Sequence, residues 1–207
     1  MKTVASISGG KTSAFMATHF PAEHTIFALV TNENPEGRIK DPGLMRYAVD
    51  KVGDFISTPE TDKTLIVIRD MEQRLGREII WVKADSSFDD LIRDKNYIPN
   101  KVAAFCSQEL KTIPVFWWCY FNLFKSEGDR VNMQIGYRAD EHWRNANEEI
   151  KIPISQSLTG QQRRKLKTFN WRELDYPLIE NLVFKADILK WAKSSGYDFP
   201  PDDNCQH

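Results

Sequence analysis

Residues 4–13 combine a short apolar run with residue types that bind phosphate. The run ends in Ser8-Gly9-Gly10, and Lys11-Thr12-Ser13 follows in a segment that predicts the start of a helix. Glycine lets the backbone approach an anion closely, and the free N–H groups at a helix amino terminus attract negative charge. We call this predicted phosphate-binding turn the cradle, and its candidate ligands are Ser8, Gly9, Gly10, Lys11, Thr12 and Ser13.

Two other interpretations of the same turn stay open. Gly10-Lys11-Thr12 matches the last three positions of a Walker A loop, but Ala5 stands where that loop needs its first glycine. Residues 4–7 also predict a strand, which leaves the turn too short to wrap a β-phosphate. The second interpretation is a structural Gly-Gly turn between a strand and a helix, without a ligand.

Polar side chains follow the next predicted strand, residues 26–31. The segment Thr31-Asn32-Glu33-Asn34 comes directly after this apolar run. The carboxyl ends of parallel strands meet at one edge of a sheet, so we expect this segment to lie near the cradle. Glu33 is a candidate to bind a ribose hydroxyl or Mg²⁺, whereas Asn32 is equally suited to cap a helix.

A third polar cluster, residues 136–144, follows the predicted strand at 131–136. It contains two arginines and two carboxylates within nine residues. Guanidinium groups bind phosphate or sulfate oxygens bidentately, and the carboxylates can orient the arginines or bind Mg²⁺. The alternative is a surface cluster whose charges neutralise one another. The candidate ligands are Gly136, Arg138, Glu141 and Arg144.

Four motifs together resemble one superfamily. Ser-Gly-Gly-x-x-Ser at the cradle is similar to the PP-loop of the adenine nucleotide α-hydrolase superfamily. Residues 136–144 resemble the Gly-x-Arg-x-x-Glu-x-x-Arg motif of its phosphoadenosine phosphosulfate (PAPS) reductase-like family. Residues 106–114 are similar to its Cys-x-x-x-Leu-Lys-x-x-Pro segment, and residues 176–179 to its Pro-Leu-Ile turn. The motifs stand in the family's order and span nearly the whole chain.

The resemblance implies an enzyme that binds an adenine nucleotide, and two reactions stay open. One is attack at the α-phosphate of ATP, with Mg²⁺ bridging the phosphates. The other is reduction of a sulfonucleotide such as PAPS, with a thioredoxin-like reductant. Implied catalytic residues are Lys111 and Arg138, which offset phosphate charge, and Cys205, a thiolate nucleophile beside His207. A nucleotide-binding subunit of a larger sulfur-transfer or nucleic-acid-modification assembly is the alternative function.

Cys106 is open to three roles: packing, cluster ligation or reactivity. An iron–sulfur cluster is not expected, because the chain has three widely spaced cysteines. Reduced thiols are expected, with Cys119 in the core. The formal net charge of −1 excludes a general nucleic-acid binder and leaves only a local contact through the basic cluster at residues 163–167. No segment predicts a membrane span or a secretory leader, which indicates a cytoplasmic protein.

Apolar strands alternating with amphipathic helices predict an α/β fold, a doubly wound and mostly parallel five-stranded sheet with helices on both faces. We expect one PP-loop domain over residues 1–198 and a C-terminal tail, either complete or truncated, over residues 199–207. Residues 151–172 are polar and predict a mobile loop over the site. Predicted strands span residues 3–7, 26–31, 64–68, 78–83 and 131–136; predicted helices span residues 12–19, 42–56, 88–95, 108–125 and 185–195.

Overall fold

A computed structural model describes residues 1–98, 105–126, 128–144, 146–155 and 164–201. The seven strands of this described part are β1 (Lys2–Ile7), β2 (His24–Leu29), β3 (Ile79–Lys83), β4 (Val131–Ile135), β5 (Glu149–Ser155), β6 (Arg164–Asn170) and β7 (Arg172–Asp175). Five of them form an all-parallel sheet in the order β3-β2-β1-β4-β7, which confirms the predicted doubly wound α/β class.

Eight helices connect these strands or pack beside them in the described residues. They are α1 (Lys11–His19), α2 (Pro42–Val52), α3 (Asp62–Leu75), α4 (Phe88–Lys95), α5 (Phe105–Ser107), α6 (Ile113–Asn122), α7 (Pro177–Glu180) and α8 (Lys185–Ser194). A π turn, Gln108–Thr112, joins α5 to α6, and 3₁₀ turns lie at Pro35–Gly37 and Ala139–Glu141.

Two hydrophobic cores cover the two faces of the sheet. In β2, Phe27 and Leu29 pack on one face with α1, α2, α3 and α8, whereas Ile26 and Ala28 pack on the other face with α6. Successive strand side chains point to opposite faces, so a strand buried on both sides needs a continuous apolar run. That is why the short apolar runs of the sequence predict β1, β2, β3 and β4 correctly.

The predicted strand at residues 64–68 is wrong, because this segment lies inside α3. Its β-branched run favours a strand locally, but its buried positions continue through Met71 at helical spacing. Thr61 caps the amino terminus of α3 by accepting from the Thr64 N–H, and Gly76 ends the helix in the left-handed conformation. Tertiary burial and end caps therefore override strand propensity here.

The predicted mobile loop at residues 151–172 is also wrong over its described part. Strands β5 and β6 form an antiparallel hairpin, and β7 adds the fifth strand of the main sheet beside β4. Ile150 and Ile152 are buried against the core on the α6 side of the sheet. Pro153 lacks an N–H for the ladder, but a two-stranded hairpin tolerates it because its strands have free edges. Residues 156–163, with Arg163 of the basic cluster, lie outside the described residues.

The aromatic helix α6 is buried on one side only. Phe116 and Cys119 have no exposed surface, which confirms the prediction that Cys119 is a core residue. Phe121 is 75% exposed and stacks on Trp117. None of the helices in the described ranges is both long and apolar enough to cross a membrane.

Burial raises the pKa of the Cys119 thiol to about 12. The unfolded thiol loses its proton near pH 9 and the folded one does not, so the contribution of Cys119 to stability is complete below pH 9 and declines as the pH rises toward 12. The slope is about 1.4 kcal/mol per pH unit. We expect urea unfolding of wild type to lose more stability between pH 9 and pH 11 than unfolding of Cys119→Ala. Equal slopes would contradict a buried neutral thiol.

Candidate functional site

The site lies where the direction of the sheet's connections reverses. From β1 the chain passes to β2 on one side, and later returns to place β4 on the other side of β1. Ligands of open α/β sheets bind in the crevice beyond the carboxyl ends of the strands at such a switch point. The cradle follows β1 and the arginine cluster follows β4, so both predicted segments begin at this crevice.

No side chain of the described residues caps the amino terminus of α1. Its cap residue is Gly10, and its first turn contains no acidic residue. By contrast, Asp41, Thr61 and Ser87 accept hydrogen bonds from first-turn N–H groups of α2, α3 and α4. The first N–H groups of a helix have no partner within it, and they carry the positive end of its dipole. A first turn of this kind can receive an anion.

Two serines shape the cradle. The Ser13 hydroxyl donates to the Gly10 carbonyl at 3.0 Å and accepts from the Ser8 N–H at 3.2 Å. The Ser8 hydroxyl lies 3.4 Å from the Ser13 hydroxyl, and Ser8 is exposed whereas Ser13 is buried. Ser13 thus holds the turn together, and Ser8 is the hydroxyl presented to solvent.

Gly9 is required by packing as well as by conformation. Its φ is +74°, and a Cβ there would lie 2.8 Å from Thr64 Cγ2 and 3.0 Å from the Thr64 carbonyl oxygen. Gly10 has an ordinary extended conformation, with φ −82°. The close approach of Gly9 therefore serves the contact with α3, which differs from the expected role of letting the backbone approach an anion.

Arg138 reaches the cradle from the neighbouring strand. Its Nη1 lies 3.5 Å from Thr12 Oγ1, across 126 residues of sequence. Gly136 lies over the same turn, since a Cβ there would be 3.7 Å from Ser13 Cα and 3.7 Å from Thr12 Cγ2. The two segments predicted to bind one ligand are therefore in contact.

The carboxylates of the cluster hold its arginines. Glu141 accepts from Arg144 Nη1 at 2.9 Å and from the Arg138 N–H at 3.2 Å, and its Oε1 lies 3.4 Å from Arg138 Nη2. Asp140 accepts from Arg138 Nε at 3.1 Å, and these hydrogen bonds hold the pKa of Asp140 below its usual range. The ion pairs expected of a surface cluster whose charges neutralise one another are therefore present. Arg138 of the same cluster nevertheless reaches the cradle.

Arg144 packs on Tyr137 and pairs with Glu141 within its own cluster. Its guanidinium carbon lies 4.4 Å from the centre of the Tyr137 ring, and Tyr137 stacks on Tyr176 at 5.7 Å. Sequence reasoning missed these tyrosines. Tyr137 lies between Gly136 and Arg138, and Tyr176 follows β7 directly, so their positions after adjacent parallel strands were the available signal.

Lys11 connects the cradle to the carboxyl-terminal segment. Its ammonium donates to the Pro200 carbonyl at 3.1 Å and lies 5.8 Å from the centre of the Phe199 ring. Lys63, in the first turn of α3, pairs with Asp198 at 2.8 Å. The described part of the tail therefore ends against the first turn of α1. Cys205 lies outside the described residues.

Lys111 and Cys106 lie on the helical segment that packs near the carboxyl end of β2. Lys111, in the π turn, has its ammonium 3.7 Å from Glu60. Glu60 lies four positions before Thr64, the residue that contacts Gly9. Lys111 therefore lies near the edge of the sheet where the cradle is. Cys106 is half-buried and packs with Leu110 and its neighbours, which agrees with the packing role.

Glu33 lies away from the cradle contacts. Its carboxylate pairs with Arg93 at 2.7 Å, and its N–H donates to Asp89 at 2.7 Å. A carboxylate held in this way does not fit a Mg²⁺ ligand without giving up Arg93. Among the residues that the structure describes, no three His, Cys, Asp or Glu side chains are grouped to hold a metal ion. Asn32 joins the backbone and hydroxyl of Ser57, which ties two loops together.

An open depression of about 620 Å³ lies at the opposite edge of the sheet. It is lined by the amino ends of β1 and β4, with Lys2, Lys125 and Arg130 among its residues. In open α/β sheets, ligands bind beyond the carboxyl ends of the strands at a switch point. The first turn of α1 and Arg138 both lie at that edge of the sheet. We therefore assign the candidate site to the cradle and not to this depression.

The fold and the site define a class: a doubly wound α/β protein with a helix at its switch point that no described side chain caps, and with an arginine of the loop after the adjacent strand beside it. No protein-family model matches the chain, and no curated protein sequence matches it significantly.

Proposed function

We propose that the protein is a PP-loop-type enzyme that binds an adenine nucleotide, with its phosphates on the cradle. The observation that carries the proposal is the contact between Arg138 and Thr12, because it brings a guanidinium to the first turn of a helix that begins at the switch point. A guanidinium and the N–H groups of a first turn are both donors that bind phosphate oxygens. The adenosine part of the proposal rests on the resemblance of the four motifs to the PAPS reductase-like family.

Two reactions are compatible with this binding mode. Chemistry at the α-phosphate of ATP releases pyrophosphate, and donors fixed around the phosphates stabilise the charge that develops there. Reduction of a sulfonucleotide leaves the phosphates intact and needs a thiol close to the bound ligand. The tail supports the second reaction, because Lys11 holds Pro200 at the first turn of α1, five residues before Cys205.

Calorimetric titration of the purified chain with ATP, PAPS and GTP tests the binding proposal. We expect binding of ATP or PAPS with 1:1 stoichiometry and at least tenfold weaker binding of GTP. Equal affinity for GTP would contradict adenine recognition, and absence of binding by all three would contradict the proposal.

Turnover assays separate the reactions. Sulfite release from PAPS with reduced thioredoxin, lost in Cys205→Ser, would support the reductase, and pyrophosphate release from ATP would support α-phosphate chemistry. Binding without either product would favour the alternative, a nucleotide-binding subunit of a larger sulfur-transfer or nucleic-acid-modification assembly.

A further inference from the structure

The two carboxylates beside Arg138 have different surroundings. Glu141 accepts hydrogen bonds from Arg144 Nη1 and from the Arg138 backbone N–H, pairs with Arg138 Nη2 at 3.4 Å, and has 16% of its side chain exposed. Among the described arginines, Asp140 binds only Arg138, through its guanidinium. The Asp140 side chain is 39% exposed. One carboxylate is thus enclosed by its partners and the other faces solvent.

Asp140 occupies the Nε–Nη2 edge of Arg138, next to Nη1, the nitrogen that lies 3.5 Å from Thr12 Oγ1. Its two oxygens lie 3.1 Å and 3.4 Å from Nε, and its Oδ2 lies 3.3 Å from Nη2. Two adjacent N–H groups of one guanidinium form the fork that binds carboxylate or phosphate bidentately. The position of Asp140 therefore resembles that of one phosphate group on Arg138.

Arg138 keeps Glu141 when Asp140 leaves, since Glu141 accepts from the Arg138 N–H and pairs with its Nη2. The side chain of Asp140 is 39% exposed, so water can hydrate its carboxylate once it leaves Arg138. An exchange of Asp140 for an external anion therefore leaves neither partner without a polar contact.

We propose that Asp140 is an internal competitor for the anion at Arg138, displaced when a phosphate group binds, and that Glu141 is a positioning residue that keeps Arg138 at the cradle. This inference rests on the proposed function only in its choice of site, because the ligand it requires is a phosphate group rather than a nucleotide. The two carboxylates, adjacent in sequence, then have opposite effects on affinity.

Titration with inorganic pyrophosphate, at fixed low salt, tests this division of roles. Asp140→Asn keeps the size of the side chain but removes its charge, so we expect about fivefold tighter binding, the size of one charge interaction at about 4 Å in water. Glu141→Gln loses the charge that fixes both arginines, and we expect about tenfold weaker binding. Asp50→Asn, an exposed residue on α2, removes the same charge at a distance and should change affinity less than twofold.

Asp140→Ser, which also lacks the charge, provides a second measurement should Asp140→Asn fold poorly. Weaker or unchanged pyrophosphate binding in the folded Asp140 variants would overturn the proposal, as would absence of binding by wild type and variants alike. A chain that binds pyrophosphate but neither ATP nor PAPS would refute the proposed function, and the Asp140 and Glu141 ratios would still decide this inference.

Discussion

Replacing Gly9 with alanine is expected to lower the free energy of unfolding by about 2–4 kcal/mol, the sum of a positive-φ cost and overpacking against α3. The new Cβ would meet Thr64 Cγ2 at 2.8 Å, and φ at this position is +74°. We also expect weaker anion binding, because Gly9 lies between Ser8 and the first turn of α1. Urea unfolding followed by circular dichroism measures the first effect, and pyrophosphate titration measures the second.

Gly76 is the matched control for this substitution. It also has positive φ, +62°, but a Cβ added there would meet no atom of the described residues within 4 Å. Gly76→Ala should therefore cost only the backbone part, about 1–2 kcal/mol. Thr64→Ser removes the clashing methyl group and should recover part of the stability lost in Gly9→Ala. Equal losses in Gly9→Ala and Gly76→Ala would show that the contact with Thr64 does not constrain the cradle.

Replacing Arg138 with alanine is expected to weaken binding of both pyrophosphate and ATP by roughly 10- to 100-fold, the range of a hydrogen bond to a charged group. The substitution removes the guanidinium beside Thr12 and leaves Asp140 and Glu141 without that partner, so two negative charges would face the incoming phosphate. Arg138→Lys keeps the charge without the planar fork, and we expect an intermediate loss. Calorimetry on the three proteins gives the comparison.

Arg130→Ala provides the charge-matched control for this series. Arg130 pairs with Glu148 and Glu173 at the amino-terminal edge of the sheet, away from the cradle. Its loss should change phosphate affinity less than threefold, the small effect expected of a distant, screened charge. If Arg130→Ala and Arg138→Ala weakened binding equally, the effect would be one of net charge and not of a site at the switch point.

The parallel sheet was predictable from sequence because its central strands are buried on both faces. In the sequence, each of these strands is a short apolar run between turns. This pattern predicted β1 to β4. Strand β7 was not found: it has four residues, Arg172–Asp175, and it pairs with β4 alone at the edge of the main sheet. Its place depends on the hairpin before it, which local composition does not reveal.

The error at residues 64–68 shows where local propensity fails. Leu65-Ile66-Val67-Ile68 is an apolar run typical of a strand, and only its spacing to Met71 and its caps distinguish it as a helix. The misassignment also hid Thr64, the residue that enforces glycine at position 9. A contact between a turn and a helix 55 residues further along the chain has no local signal.

The candidate site was partly predictable, because both of its segments follow strands and parallel strands end at one edge. That rule brings Arg138 near Thr12, as the structure shows. The same rule does not reveal that the Glu33 carboxylate pairs with Arg93, and its role as a ligand stays a prediction. Side-chain pairing depends on residues far away in sequence, so the edge of the sheet was predictable and the individual ligands were not.

The central claim is that the amides at the start of α1 and the Arg138 guanidinium bind one phosphate group together. Nuclear magnetic resonance titration of ¹⁵N-labelled protein with inorganic pyrophosphate tests it most directly. We predict that the largest shift changes occur at the backbone amides of residues 10–13 and at Arg138 Nε, with a common dissociation constant. Changes confined to the opposite edge, around Lys2, Lys125 and Arg130, with the cradle amides unmoved, would contradict the account.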